Sequence, residues 1–157
     1  MFVLLRDQGE SSDFCLGLSR YRKYLLSNKH RLPASAYEFA MAEWHYNFND
    51  HRCPHDSWVN ALSISESCSG VRSEVRRTQI SIELLGAYHD GVVKINYQNV
   101  LDYTLSSYSK SHGDWLYDEV RVSDKGCVVH EIDLEFSQWK IECEDIKFEW
   151  APFADGI

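Results

Sequence analysis

The sequence predicts a mainly β, α+β fold: an antiparallel β-sandwich or a strongly curled sheet, with an N-terminal helix. Three observations carry this expectation. Across most of 57–151, apolar and polar residues alternate with period two, the pattern of half-buried strands. Turn chemistry interrupts the alternation at short intervals, at His89-Asp90-Gly91 and at Asp124-Lys125-Gly126. Only 14–27 carries a clean helical stripe, in Phe14, Leu18, Tyr21 and Leu25.

Taken in order, Phe2 to Leu5 reads as an edge strand or a docked tail, and Gln8 to Asp13 as a turn. The helix at 14–27 has Ser12 or Asp13 available to accept bonds from its free N–H groups. Arg20, Arg22, Lys23 and Lys29 lie toward its far end, where the helix dipole favours cations. Pro33 marks a break. Residues 36–46 fit both periods: Tyr37, Phe39 and Met41 alternate as in a strand, while Tyr37, Met41 and Trp44 fit a helix. Alanine content favours helix and aromatic content favours strand; the strand-like segments that follow favour strand. Asn47 to Pro54 reads as a loop.

From Trp58 onward the alternation is continuous. Leu62 and Ile64 oppose Ala61 and Ser63; Ile80, Ile82 and Leu84 oppose Ser81 and Glu83; Val93, Ile95 and Tyr97 oppose Lys94 and Asn96. Leu101, Tyr103 and Leu105 follow, then a polar loop at 106–113 and a strand at Leu116 to Val122. Val128, His130, Ile132, Leu134 and Phe136 line one face of the next strand, with Glu131, Asp133 and Glu135 on the other. Trp139, Ile141 and Cys143, then Ile146, Phe148 and Trp150, complete the pattern. Trp115, Trp139, Trp150 and Tyr103 are expected to pack in the core or at its edges, and His130 to be a buried histidine with a hydrogen bond.

A chain of 157 residues fits one domain, taken as 1–157. Such a domain buries roughly 70% of its unfolded surface and needs no disulfide or metal for stability. The net charge of −8 disfavours nucleic acid and anionic membranes as partners and favours a basic protein. No apolar run approaches the roughly 20 residues of a membrane span. The apolar run at Phe2 to Leu5 is too short for a signal-peptide core. The five cysteines are odd in number and form no CxxC pair. A cytoplasmic protein with reduced, buried thiols is the expectation.

Two regions carry chemistry worth weighing. Within WHYNFNDHRCPHDSW (44–58), His45, His51, Cys53 and His55 offer imidazole and thiolate donors for zinc. The spacing is not a standard zinc pattern, and a polar loop with hydrogen-bonded histidines is the expected reading, with metal binding the alternative. The same residues allow a hydrolytic reading, with His55 beside Asp56 or Cys53 beside a histidine. No nucleophile elbow, phosphate loop or dinucleotide fingerprint accompanies them, so an enzyme is not the expectation.

The second region is acidic. From Gly113 to Ile157 there are twelve acids and four bases, whereas 1–112 is balanced. Glu131, Asp133, Glu135, Glu142, Glu144 and Glu149 fall on predicted strands whose other faces are apolar. Such a face either serves solubility alone or steers a basic partner into place. The segments CPHDSWVNALSISE (53–66) and DWLYDEVRVSDKGCVVHEIDLEFSQWKIECEDIKFEW (114–150) resemble stretches of small bacterial proteins of unknown function, some of which resemble immunity proteins of polymorphic or contact-dependent toxin systems. That resemblance implies a non-enzymatic, cytoplasmic protein that neutralises a toxin domain by binding it. The alternative is a metal-binding or hydrolytic domain centred on His45, His51, Cys53 and His55. An exposed strand edge would also allow a homodimer.

Overall fold

The structure is a computed structural model that describes residues 2–3 and 11–154, with side chains of the first helix described from Phe14. Helix α1 spans Ser11–Asn28 and runs into a single 3-10 turn, Lys29–Arg31; helix α2 follows at Ala34–Met41. Eight strands complete the described chain: β1 (Trp58–Ser69), β2 (Val75–Leu85), β3 (Gly91–Val100), β4 (Asp102–Leu105), β5 (Trp115–Val122), β6 (Val128–Leu134), β7 (Ser137–Cys143) and β8 (Asp145–Pro152). They form two antiparallel four-stranded sheets, ordered β1-β2-β3-β8 and β4-β7-β6-β5.

The two sheets are halves of one ribbon folded at a corner. β3 and β4 are separated only by Leu101, β8 and β7 only by Glu144, and β3 pairs with β8 as β4 pairs with β7. Backbone bonds continue through the bend, Leu101 N–H to Glu142 O at 2.8 Å and Glu144 N–H to Gln98 O at 3.0 Å. Asn99 supplies the turn with a left-handed φ of 49° and donates its amide to the Glu144 carboxylate at 2.5 Å. The folded sheet is not closed. The outer strands approach at one place, where Asp56 N–H donates to Trp115 O at 2.8 Å and Trp115 N–H to Ser57 O at 3.0 Å.

Period two puts Ile80, Ile82, Leu84, Val93, Ile95, Tyr97 and Ile146 on the inward face of one sheet. Val120, Ile132, Leu134, Trp139 and Ile141 face them from the other. Each large apolar side chain so buried contributes roughly 1.5–3 kcal/mol. Helix α1 covers the free edge of β5. The Tyr21 hydroxyl donates to Val120 O at 3.0 Å and accepts from Val120 N–H at 2.6 Å; the Tyr24 hydroxyl accepts from Val122 N–H at 2.9 Å. Deep in the same edge, the Glu119 carboxylate accepts from the backbone N–H of Phe2 at 2.7 Å and of Val3 at 2.9 Å.

Several expectations need correction. Residues 34–41 are helical, not extended. Ala36, Phe39 and Ala40 are buried, which is one stripe of a helix, and Pro33 suits the position just before its first turn. Tyr103, expected in the core, is 44% exposed because β4 is a short outer strand. Phe136 leaves the apolar face for the β6–β7 turn and is exposed. His130 has two side-chain partners rather than one. The cysteines are not uniformly buried: Cys53 and Cys143 are, whereas Cys15 and Cys68 are exposed. In the β2–β3 turn, the left-handed φ belongs to His89, at 57°, and not to Gly91. Gly91 is small for another reason: a Cβ there would lie 2.4 Å from the Trp150 ring. The Leu4–Leu5 part of the expected edge strand and the capping side chains of Ser12 and Asp13 lie outside the described residues.

Candidate functional site: an aromatic and histidine-rich end

Between α2 and β1 the chain has no regular structure, and a buried charge pair anchors it. His45 Nδ1 lies 2.8 Å from Phe39 O, and Nε2 lies 2.8 Å and 3.0 Å from the two oxygens of Asp118. Carbonyl and carboxylate oxygens only accept, so both ring nitrogens carry protons and His45 is an imidazolium. Burial by itself would push its pKa down. The Asp118 charge, the hydrogen bonds to Asp118 and the Phe39 carbonyl outweigh it and hold the pKa above the ordinary value of 6.5. Asp118, only 2% exposed, is likewise opposed by burial. His45 and His130 nevertheless hold its carboxyl well below the ordinary 3.8.

Asp118 receives two further donors, His130 Nε2 at 2.8 Å and Trp115 Nε1 at 3.1 Å. The other nitrogen of His130 meets the Tyr97 hydroxyl at 2.8 Å, linking β6 to β3 across the core. Above this centre, Tyr46 donates its hydroxyl to Asp118 O at 2.6 Å, and the Cys53 thiol donates to His45 O at 3.0 Å. The 42–57 segment is thus pinned from beneath by hydrogen bonds of His45, Tyr46 and Cys53 to buried partners.

On the outer side of that segment, three stretches of chain meet. Phe48 stacks on His55 with centroids 4.1 Å apart, and His51 stacks on Tyr88 at 4.3 Å. Tyr88 donates its hydroxyl to Phe48 O at 3.0 Å, and His51 Nδ1 meets the Asp90 carboxylate at 2.5 Å. His89 and Trp58 meet edge to face with ring centroids 4.7 Å apart, and Phe153 N–H donates to Asp90 O at 2.8 Å. Phe48, Trp58, Tyr88 and Phe153 remain 44–50% exposed. Arg52 is held by both oxygens of Asp50 and lies over the Trp44 ring. Two residues here, Asp56 and His89, adopt left-handed φ angles of 62° and 57°, so the loops are sharply shaped.

His45, His51, Cys53 and His55 therefore do not converge. His45 faces Asp118, His51 faces Asp90, the Cys53 thiol faces a carbonyl, and His55 lies 3.1 Å from Asp56. Among the described residues, no group of three or more His, Cys, Asp and Glu is arranged to hold a metal ion. Burial pushes the Cys53 thiol up to about 12, the opposite of an activated nucleophile.

The acidic residues are also divided. Glu131, Asp133 and Glu142 share the outer face of the β4-β7-β6-β5 sheet, but cations are threaded among them. Arg121 bridges Glu119 and Glu131, Lys140 reaches Glu131 at 3.8 Å, and Lys125 reaches Glu142 at 3.9 Å. Asp133 is buried beside Gln138, which donates at 3.3 Å. Glu135 is exposed in the β6–β7 turn, Glu144 serves the corner, and Glu149 lies on the outer face of the other sheet opposite Lys94. Tyr117, paired with Asp133 in register, joins the acidic face to the aromatic end through His55, 5.5 Å from its ring.

The aromatic end was not foreseen from sequence. Phe48, Trp58, Tyr88 and Phe153 are scattered along the chain, and no local pattern groups them. The one usable signal was the density of aromatic and histidine residues in 44–58 and 87–90. Among the described residues no helix is long and apolar enough to cross a membrane. No protein-family model matches this chain, and no curated protein or solved structure is detectably similar to it.

Proposed function

We propose that this chain is a non-enzymatic protein-binding domain whose docking surface is the aromatic end. The observation that carries the reading is that Phe48, Trp58, Tyr88 and Phe153, each half exposed, stand on segments tied together by Tyr88 hydroxyl to Phe48 O, Trp58 against His89, and Phe153 N–H to Asp90 O. Aromatic side chains and Arg supply most of the binding energy at protein interfaces, where they offer large rigid area at small entropic cost. Cross-loop bonds to Phe48 O and Asp90 preshape this surface, which lowers the ordering cost of binding.

The partner suited to this surface is basic. Asp56 and Asp90 border the aromatic rings, and the net charge of −8 would steer a cationic protein toward the domain. Glu131, Glu135 and Glu142 then act as rim charges that govern association rate, with the aromatic rings as anchors. Neutralisation of a basic toxin domain is one role that fits such a surface. The polar atoms of the buried His45–Asp118–His130 centre are occupied by one another, which supports an anchoring role for them over a catalytic one.

The test is interferometry with the partner captured by the wild-type domain from cell extract at low salt. Phe48→Ala/Tyr88→Ala should weaken affinity at least about tenfold, mainly through faster dissociation. Neutralising Glu131, Glu135 and Glu142 should slow association and flatten its salt dependence. Retention of full affinity by the aromatic variant would remove the proposed surface.

A further inference from the structure

Four strands form the edges of the two sheets, and they are treated differently. The edge of β5 is capped by Tyr21 and Tyr24. β8 carries α2, with the Ser35 hydroxyl donating to Asp145 at 2.6 Å. β4 is four residues long. β1 is twelve residues long, and all of them are exposed except the half-buried Val59 and Leu62. An uncovered edge is a row of unpaired N–H and C=O groups that recruits another strand, and proteins blunt it with Lys, Pro or a short length. β1 has neither Lys nor Pro, and Glu66 is its only charged residue.

The exposure is greatest where β1 leaves the body. β2 pairs with β3 only between Thr78 and Leu85, so Ser67–Ser69 and Val75–Arg77 form a two-stranded arm with no third strand beside it among the described residues. Ile64, at the base of this arm, is 45% exposed although it sits on the apolar face opposite the buried Ile80. The tip and returning strand carry Arg72, Arg76 and Arg77, a basic island on an acidic protein. This edge adjoins the docking surface proposed above at Trp58 and Asp56, so a second copy seated on β1 would compete with a basic partner there.

We propose that β1 pairs antiparallel with β1 of a second copy of this chain, about a two-fold axis at Ile64. This register sets the exposed Ile64 of each copy against that of the other. It sets Leu62 against Glu66, Ser63 against Ser65 and Ala61 against Ser67. Directly opposed residues in antiparallel strands point to the same face, so the serine face is continued across the axis and the Leu62–Ile64 apolar face meets its copy at Ile64, with Glu66 at its margin. A register centred on Glu66 would oppose two carboxylates and is disfavoured. Antiparallel pairing sets the far end of each β1, with Arg72 in the turn just beyond it, toward the near end of the other, where the Asp56 side chain is 61% exposed, and the attraction is made twice by symmetry. Two sheets of four strands become one continuous sheet of eight across the interface.

Sedimentation equilibrium and disulfide trapping test this. Wild-type protein at about 100 μM should be dimeric, since association follows protomer concentration. Ile64→Lys should be monomeric with an unchanged circular dichroism spectrum, because the side chain lies outside the core. In a Cys15→Ser/Cys68→Ser background, Ile64→Cys should oxidise to a covalent dimer. Opposed Cα atoms in antiparallel strands are roughly 4.5–5.5 Å apart, within disulfide range. Ser67→Cys, distant from its own symmetry mate in this register, should oxidise at least about tenfold more slowly. A monomeric wild type, a dimeric Ile64→Lys, or equal trapping at Ile64 and Ser67 would each overturn the proposal. Sedimentation without partner reads the dimer, and partner binding by Phe48→Ala/Tyr88→Ala, whose positions lie off β1, reads the aromatic surface, so the two proposals fail independently.

Discussion

Replacing Asp118 with Asn should destabilise the fold strongly and in a pH-dependent way. The carboxylate takes His45 on both oxygens, Trp115 on one and His130 on the other. Asn leaves a single acceptor oxygen and turns an amide N–H toward groups that are themselves donors. It also strips the buried imidazolium of its counter-charge. Breaking one partner of a buried ion pair costs about 3–5 kcal/mol. For a domain of this size that is a loss of roughly 6–20 °C in Tm, a large share of a total stability of about 5–15 kcal/mol.

The pH dependence follows from the folded and unfolded pKa values. His45 is raised in the fold, so its contribution is complete below the unfolded value of 6.5 and is lost as pH rises through the folded value. Asp118 is depressed, so its contribution is complete above the unfolded value of 3.8 and is lost as pH falls toward the folded one. The pair is at full strength between those two unfolded values. Wild-type stability should then decline above pH 6.5 with a limiting slope of about 1.4 kcal/mol per pH unit from this group. Urea titrations of wild type and Asp118→Asn at about pH 5.5, 7 and 9 measure this directly. The difference between them should be largest at the lowest pH and shrink toward the highest. A difference under about 1 kcal/mol, or one constant across the range, would refute the charged assignment of His45.

Two other outcomes follow from the same geometry. Tyr21→Phe removes a buried hydroxyl that both donates to and accepts from Val120; the loss should be about 1–3 kcal/mol, with faster amide hydrogen exchange at Val120 than at the β6 centre. Cys15 and Cys68 should react with a thiol reagent in the native protein, while burial, which pushes Cys53 and Cys143 up to about 12, should keep both silent until denaturant is added.

The strands were legible because each side chain reports its own face, and Ile80, Ile82 and Leu84 need no distant information to do so. The helix at 34–41 was harder, since its stripe of Ala36, Phe39 and Ala40 is short and weakly apolar and the aromatic residues around it fit either period. The corner at Leu101 and Glu144 left no local mark: Asn99, the residue that bends, is an ordinary strand-end polar residue. The buried centre did leave one. Asp118 and His130 each place a polar group on an otherwise apolar face of neighbouring strands, and such groups are seldom buried without a partner. Their pairing was therefore inferable from the hairpin register. The arrival of His45 was not, because it enters from a loop whose path depends on where α2 ends.

That loop explains why a charged group sits at the centre of a largely apolar core. Residues 42–57 contribute no strand and no helix, and their turns, from His45 N–H to Ala42 O through Cys53 N–H to Asp50 O, are local and weak. An apolar anchor at position 45 would bury area but leave the loop free to rotate about it, because dispersion is non-directional. The imidazolium instead fixes two directions at once, toward Phe39 O and toward Asp118, and Tyr46 and Cys53 fix the neighbouring backbone. Whether such a pair adds net stability over a well-packed apolar substitute is secondary. Its effect is to hold Phe48, His51 and His55 in one arrangement against Tyr88. Replacing His45 and Asp118 together with Leu and Val takes this acceptor from His130 and Trp115 but leaves no imidazolium at 45 without its counter-charge, and should cost less stability than Asp118→Asn alone. The same double variant should still bind the partner more weakly than wild type. If it bound with undiminished affinity, the buried pair would have no part in shaping the surface above it.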